Sequence, residues 1–279
     1  MKKSFKFWFT IIMTSLTLVL VEYLPNHNSI NEVHARAEKA SLQNPVRTVP
    51  LAKFNKIDIN VAATDVHIHT GDRYQVKITD NKYATISAEN NQGTLKIRDH
   101  GQGRPFGKRG WANRHCALAI DITVPDKDSL IAITSKNNAG NFKVENLQLR
   151  KLAIDTDAGD CKLLNMQIKR QGRVSTNDGD IKISSSQLNN LNFKSKDGNI
   201  TINHSKLAGS NLVKINLGNF TMHQASRKIN YRLATRGKLK LFDHKKDGDC
   251  LKKVHLTEAA PCNKNTLKVT ASYGNVGIN

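Results

Sequence analysis

Apolar and polar residues alternate through most of the second half of the chain, and glycine interrupts the alternation at regular intervals. The glycines are 19 or 20 residues apart, at Gly140, Gly159, Gly179, Gly198, Gly218 and Gly237. Apolar residues stand two and four places after each glycine, and mostly polar residues stand between them. Alternation with period two is typical of β-strands that bury one face. Asp or Asn beside the first five of these glycines favours a turn with positive φ at these positions.

A coil of this length cannot bury its apolar face alone, so successive coils must stack on one another. The sequence therefore predicts an all-β, single-stranded β-solenoid, a β-roll-like stack of 19–20-residue coils with parallel sheets. Stacking places the residues two positions after the glycines in one internal column: Phe142, Cys161, Ile181 and Ile200. A further copy at Gly274 follows Gly237 by 37 residues, which corresponds to two coils or to one coil plus an insertion. The handedness and the number of sides stay open.

The remaining segments divide the chain around this repeat. Residues 51–128 also alternate, less regularly, and are predicted to form an N-terminal β cap and the first coils. Residues 129–279 carry the regular repeats, with an insertion at 243–264. Residues 38–50 are predicted to be a flexible spacer, and residues 99–115 a basic, glycine-rich loop.

The first 37 residues have the pattern of an export signal. Lys2, Lys3 and Lys6 precede an uncharged run over residues 7–21, and Ala35-Arg36-Ala37 fits a small-x-small cleavage site. The run is short for a membrane span, although an uncleaved N-terminal anchor remains open. We expect a secreted or surface-associated protein, without covalent attachment to a cell wall.

The net charge of +20, from 43 Lys and Arg against 23 Asp and Glu, favours polyanionic surroundings. The binding residues that we predict combine cations with aromatic rings in the basic loop: Arg104, Phe106, Lys108, Arg109, Trp111 and Arg114. Arginine can hold phosphate through paired hydrogen bonds, and the rings can stack on sugars or bases. The alternative is a solvated loop that covers the end of the solenoid. Nucleic acid is physically possible, but the export signal argues against it as the native ligand.

Cysteine, histidine and aspartate offer further candidates. Cys250 and Cys262 flank the later insertion and are the predicted disulfide. Cys116 and Cys161 fall on apolar positions and are predicted to be buried. A bridge between Cys116 and Cys161 stays open. His67 and His69 are two apart on one strand and could hold a metal. No third ligand is identifiable from the spacing, and His100 and His115 have no better support, so we predict no metal site. The corner aspartates are predicted to satisfy turn backbone rather than to bind calcium: Asp155, Asp157, Asp160, Asp178, Asp180 and Asp197.

Sequence motifs of catalysis are missing. The chain contains no Gly-x-Ser-x-Gly, no His-Glu-x-x-His and no phosphate-binding loop. We therefore predict a protein that is not an enzyme and needs no cofactor, with a carbohydrate-active enzyme on a β-solenoid as the least favoured alternative.

Three elements, spread over residues 52–279, are similar to one bacterial family. They are the opening Phe54-x-x-Ile57-x-Ile59 followed by Asp65-Val66-x-Ile68-x-Thr70-Gly71-Asp72, the strand Ile122-Thr123-Val124-Pro125, and the repeated Gly-Asp/Asn-x-hydrophobic turns. The chain thereby resembles β-strand-repeat proteins of unknown function that are named "putative adhesin". The resemblance implies a role at a bacterial surface or envelope and provides no catalytic residues.

We expect an exported, non-enzymatic β-repeat protein of the cell surface or envelope that binds anionic polymers. The expected ligands are teichoic acids, anionic lipid head groups, acidic glycans or polymers of a host surface. The alternative is a structural or sensory envelope protein that acts through a protein partner. The oligomeric state stays open.

Overall fold

The computed structural model describes residues 45–80, 85–100, 118–248, 254–260 and 264–279. Several segments discussed above lie outside these residues. They are the predicted leader (1–37), the first part of the predicted spacer, most of the basic loop, Cys116, Cys250 and Cys262. The described residues belong to one compact unit. Within the described part of the chain, no helix is long and apolar enough to cross a membrane.

The described residues form strands joined by short turns, as the alternation predicts. The strands are β1 (Val46–Pro50), β2 (Lys56–Thr70), β3 (Gln75–Thr79), β4 (Ile86–Asn91), β5 (Thr94–Asp99), β6 (Leu118–Val124), β7 (Ala132–Ala139), β8 (Phe142–Glu145), β9 (Gln148–Ala158), β10 (Cys161–Leu164), β11 (Gln167–Asp178), β12 (Ile181–Ser184), β13 (Gln187–Asn189), β14 (Leu191–Asp197), β15 (Ile200–Asn203), β16 (Lys206–Ala208), β17 (Ser210–Leu217), β18 (Phe220–His223), β19 (Asn230–Thr235), β20 (Leu239–Leu241), β21 (His244–Lys246), β22 (Val254–Glu258), β23 (Thr266–Tyr273) and β24 (Val276–Ile278).

Two long ladders of strands run along the solenoid, and the strands within their central parts are parallel. Sheet A has the order β1-β3-β6-β2-β8-β10-β12-β15-β18-β24-β20-β21. Sheet B has the order β4-β5-β2-β7-β9-β11-β14-β17-β23-β19-β22. The long strand β2 belongs to both sheets and provides the sheet B and sheet A strands of one coil. The all-β solenoid predicted from the repeat is thereby confirmed.

A third, shorter ladder follows the second corner in the central coils and runs on into sheet B. It consists of the first residues of β9 and β11, followed by β13 and β16. Each central coil therefore has a sheet B strand, a glycine corner, a short sheet A strand, a second corner and a short third strand. The second corner holds non-glycine residues with positive φ: Asn146, Asn165, Ser185, His204 and Gln224.

The predicted internal column is present in sheet A. Phe142 pairs with Cys161, Cys161 with Ile181, and Ile181 with Ile200, in consecutive parallel strands. Each of these side chains is at most 1% exposed. The inward residues of sheet B change from apolar to polar beside the glycine corner, where Asn137, Thr156, Thr176 and Ser195 are buried. Asn137 donates from Nδ2 to the Thr64 carbonyl oxygen over 2.7 Å, so part of this column satisfies corner backbone.

The last coil along the chain does not stack last. The coil that contains Gly274, formed by β23 and β24, inserts between the coil of β17 and β18 and the coil of β19 and β20. The 37 residues from Gly237 to Gly274 therefore correspond to one coil plus an insertion. At the other end, β5 and β6 stack outside β2, although they follow it in sequence. The order of coils in space therefore departs from the order in sequence at both ends.

The predicted spacer extends too far toward the C-terminus. Val46–Pro50 is not flexible linker but strand β1, which pairs antiparallel with β3 from Val46 opposite Thr79 to Pro50 opposite Gln75. This strand lies at the edge of sheet A and alternates between exposed and half-buried residues. Edge strands bury little apolar surface, so the alternation is weak and the sequence pattern does not reveal them.

Candidate functional site

The glycine corner is built from close backbone stacking. Six of the predicted turn glycines have positive φ, from +113° at Gly140 to +150° at Gly179, whereas Gly237 lies outside this region. A Cβ added to Gly159 would lie 2.2 Å from the carbonyl oxygen of Gly140. Because the corners of neighbouring coils touch through their backbones, only glycine fits at these positions.

The Asp and Asn residues next to the glycines form a ladder of hydrogen bonds along this corner. Each side-chain Oδ1 accepts the backbone N–H of the corresponding residue in the next coil, at 2.7–3.0 Å. The accepting residues are Asp65, Asn141, Asp160, Asp180, Asn199, Asn219 and Asn275. The prediction is confirmed for Asp160 and Asp180, whereas Asp157 accepts from the Asn177 side chain and Asp155 faces the Arg173 guanidinium. Burial raises the pKa of Asp180, but the backbone N–H of Asn199 and the Lys182 ammonium outweigh it and hold that pKa below its ordinary value.

The predicted binding residues and the predicted disulfide are not placed by the structure. Arg104, Phe106, Lys108, Arg109, Trp111 and Arg114 lie outside the described residues, as do Cys250 and Cys262. The flanking strands show where the basic loop is attached. β5 ends at Asp99 in sheet B and β6 begins at Leu118 in sheet A, both beside β2.

Cys161 lies in the internal column, as predicted, and its thiol is free. Burial and the nearby carboxylate of Asp160 raise the pKa of the thiol to about 12. Such a thiol stays protonated at neutral pH and is a poor nucleophile. Its position indicates a small apolar core residue.

Exposed cations gather on the outer surface of sheet B in the C-terminal half of the solenoid. We call this the basic face, and it consists of Lys194 on β14, Lys214 on β17, Lys268 on β23 and Arg232 on β19. Lys194 pairs directly with Lys214, and Lys268 pairs directly with Arg232. Within the described part of the chain, none of these four cations has an ion pair. Like charges on directly paired residues destabilise a sheet, so this arrangement has a cost to folding.

Two outward lysines of sheet A have acidic partners, whereas Lys162 between them has no ion pair among the described residues. In the ladder of sheet A, Lys143 Nζ lies 2.9 Å from Glu145 Oε1, and Lys182 Nζ lies 3.1 Å from Asp180 Oδ2. On the basic face, by contrast, no ion pair among the described residues offsets any of the four cations. The basic face spans four neighbouring strands, which corresponds to about 14 Å at the usual strand spacing of about 4.8 Å.

A second polar cluster lies on the outer surface of sheet A, near its N-terminal end. His67 and His69 point outward from β2, with their rings stacked at a centroid distance of 4.5 Å. Asp121 on β6 pairs with His67 in the strand register, and its two carboxylate oxygens lie 3.1 Å from His67 Nδ1 and from His69 Nε2. On the other side, Glu145 Oε1 lies 2.7 Å from His67 Nε2. The cluster is half-buried.

Glu145 is the acidic residue of this cluster with a shifted pKa. Burial raises that pKa, but hydrogen bonds and charge from Lys143 and His67 outweigh burial, and the pKa lies below its ordinary value. Glu145 is therefore a carboxylate at neutral pH, and it accepts from both neighbours.

The sequence identified His67 and His69 but missed their partners. Asp121 is 54 residues from His67 and Glu145 is 78 residues away, so local spacing cannot associate them. One signal was available. Aligning Val66-His67-Ile68 with the outward-inward pattern of Ile120-Asp121-Ile122 places Asp121 directly beside His67. That alignment requires knowing that β6 is the neighbour of β2.

Comparison with protein families identifies the fold. The model of one family, described as Toastrack DUF4097, matches residues 54–279, which include the stacked coils, the basic face and the histidine cluster. The chain belongs to the Toastrack DUF4097 family. The family resemblance proposed from the sequence is confirmed.

Solved structures similar to this Toastrack chain share little sequence with it. A putative cell adhesion protein from Clostridium sporogenes is 14% identical, with 84% of this chain and 98% of that chain covered and a TM-score of 0.38. A putative adhesin from Bacteroides fragilis is 17% identical, with coverage of 84% and 96% and a TM-score of 0.43. A putative lipid binding protein from Parabacteroides distasonis is 13% identical, with coverage of 85% and 97% and a TM-score of 0.33. The comparison with curated proteins found no significant match.

Proposed function

We propose that this Toastrack chain is an exported, non-enzymatic protein of the cell surface that binds anionic polymers through the basic face. The observation that carries the proposal is the set of four exposed cations on adjacent strands, Lys194, Lys214, Lys268 and Arg232, without ion pairs among the described residues. The names of the structural neighbours, two of which refer to adhesion, support a surface role.

The mechanism is electrostatic attraction on a flat, rigid surface. Lys194 and Lys214 are direct neighbours, and Lys268 lies on the diagonal from Lys214, at about 7–8 Å in a regular sheet. A polymer with repeated phosphate, carboxylate or sulfate groups can contact several cations at once. Its binding would also relieve the repulsion between like charges. Teichoic acids, anionic lipid head groups and acidic glycans all have the required chemistry.

The test compares two variants with the same loss of charge. In the first, Lys194, Lys214, Lys268 and Arg232 are all changed to Gln. In the control, four exposed lysines scattered over other strands are changed to Gln: Lys56, Lys77, Lys162 and Lys206. Each protein is applied to purified cell walls, to lipoteichoic acid and to vesicles with or without anionic lipid, across a salt series.

We expect the first variant to lose at least about tenfold in affinity, while the control stays within about threefold of the unmodified chain. Salt should weaken binding of the unmodified chain, because the Debye length shortens from about 10 Å at 0.1 M to about 3 Å at 1 M. Equal losses in both variants would show that net charge rather than the basic face is responsible. Retention that does not change with salt would overturn the electrostatic mechanism, and capture of one protein without polymer affinity would favour a protein partner.

A further inference from the structure

The histidine cluster on sheet A contains two nitrogen atoms whose hydrogen bonds define their protonation. His69 Nδ1 lies 2.8 Å from the Thr70 carbonyl oxygen, which can only accept. His67 Nε2 lies 2.7 Å from Glu145 Oε1, an oxygen that also accepts from Lys143 Nζ at 2.9 Å. Both nitrogens must therefore carry hydrogen and donate.

The two remaining nitrogens create a conflict. A neutral imidazole has one N–H, so His67 Nδ1 and His69 Nε2 present lone pairs. Both of them face the carboxylate oxygens of Asp121 at 3.1 Å, and a carboxylate also offers only lone pairs. Protonating both rings would resolve this, but it would place two cationic rings face to face at 4.5 Å. A positive charge between the three groups resolves the conflict without that repulsion.

We infer that His67, His69 and Asp121 bind one divalent transition-metal ion, with Glu145 as a positioning residue for His67. One nitrogen from each histidine and one carboxylate oxygen lie within 4.8 Å of one another. Zinc bonds of about 2.0–2.2 Å in a tetrahedral site separate two ligand atoms by about 3.3–3.6 Å. Each nitrogen–oxygen contact of 3.1 Å, which involves a different Asp121 oxygen for each histidine, needs to widen by only a few tenths of an ångström to match this separation.

The donor set and its surroundings indicate the class of metal. Two imidazoles with one carboxylate suit zinc and other first-row transition ions, whereas calcium and magnesium prefer oxygen ligands. Glu145 holds His67 Nε2–H and thereby aims Nδ1 at the ion, an arrangement that orients many metal-binding histidines. The side chains of His67, His69 and Asp121 are 31%, 26% and 37% exposed, so a coordination position faces solvent.

The site stands independently of the proposed polymer binding. It lies on β2, β6 and β8 in sheet A, whereas the basic face lies on β14, β17, β19 and β23 in sheet B. Substitutions at one therefore leave the other intact.

The experiment titrates the untagged full-length chain with Co²⁺ alone, followed by absorption spectroscopy, and with Zn²⁺ alone, followed by calorimetry and thermal denaturation. We expect the chain to bind one equivalent of Co²⁺, with the d–d absorption bands of a low coordination number and no thiolate charge-transfer band. We expect Zn²⁺ to raise the Tm, since an ion that binds only the folded state stabilises it. Asp121→Asn and His69→Gln should each weaken binding by at least about tenfold. Glu145→Gln should weaken it by about 10–100-fold while the Co²⁺ spectrum keeps its shape, as for a residue that acts through His67.

The control is His223→Gln, which removes an exposed histidine from the outer surface of sheet A far from the cluster and should change nothing. Far-UV circular dichroism and the Tm without metal verify that each variant is folded. Unchanged binding in Asp121→Asn and His69→Gln would overturn the inference, as would a thiolate band or a chain that shows no saturable Co²⁺ binding. In that case, the cluster serves only as a hydrogen-bonded contact between strands.

Discussion

Replacing Gly159 with Ala tests the reasoning about the glycine corner most directly. Gly159 has a φ of +132°, and a Cβ at this position would lie 2.2 Å from Gly140 O and 2.6 Å from Gly140 C. Both obstructing atoms are backbone. Gly140 itself donates its N–H to Ala158 O at 2.9 Å, so it cannot move away without breaking the ladder between coils.

Two contributions give the magnitude. A non-glycine residue in a sparsely populated backbone region costs about 1–3 kcal/mol. Overpacking a rigid interior costs about 1–3 kcal/mol more. The sum is about 2–6 kcal/mol, a large fraction of the about 5–15 kcal/mol that stabilises a typical domain. We expect Gly159→Ala to unfold at a markedly lower denaturant concentration.

The assay is urea denaturation followed by far-UV circular dichroism. Gly93→Ala is the control, because Gly93 has a φ of +77° but its added Cβ would meet no atom closer than Asn55 Oδ1 at 3.8 Å. The control reports the conformational cost alone, about 1–2 kcal/mol. A similar slope against urea in all three proteins would show that the midpoint reflects stability. If Gly159→Ala lowers the free energy of unfolding by no more than Gly93→Ala does, the close stacking of corner backbones does not limit these positions to glycine.

Two further predictions concern neighbouring residues of the same coil. Asp160→Ala removes the acceptor of the Asp180 N–H and should destabilise the chain by about 1–3 kcal/mol. Asp160→Asn should be close to neutral, because Asn141 and Asn199 accept the equivalent backbone N–H in other coils. Equal losses of unfolding free energy in urea denaturation of the two variants would contradict the hydrogen-bond ladder. Because the folded-state pKa of Cys161 is about 12, above its ordinary value of 9.0, the unfolded chain releases this proton first as pH rises. The stability contributed by the protonated thiol is therefore complete below about pH 9 and decreases above it by about 1.4 kcal/mol per pH unit. Comparing the alkaline slope of unfolding free energy between the unmodified chain and Cys161→Ala checks this, and identical slopes would refute it.

Much of the central solenoid is readable from the sequence, because its determinants are local. The inward positions of Phe142, Cys161 and Ile181 follow from period-two alternation in phase with the glycines. The second corner is less visible, because residues as different as Asn165, Ser185 and His204 hold the same left-handed conformation there. No single residue type marks that position, so the repeat leaves the number of sides undetermined.

The candidate sites were harder to predict than the fold. His67 and His69 are a recognisable pair, but their partner Asp121 comes from a strand 54 residues away. The basic face joins Lys194 to Lys268, which are 74 residues apart, through β17 and β23. In sequence, these cations are indistinguishable from the other lysines between apolar positions.

The sequence by itself determined what each coil looks like: the alternating strands, the glycine corner, the Asp or Asn beside it and the inward column. These features depend on backbone conformation and on burial within one coil, which short segments specify. Only the tertiary structure decided which coils are neighbours. The insertion of β23 and β24 between β18 and β20, and the position of β6 outside β2, depend on long-range pairing that similar coils could satisfy in several orders. The histidine cluster and the basic face depend on this spatial order of the coils, because each combines outward residues from strands that are distant in sequence.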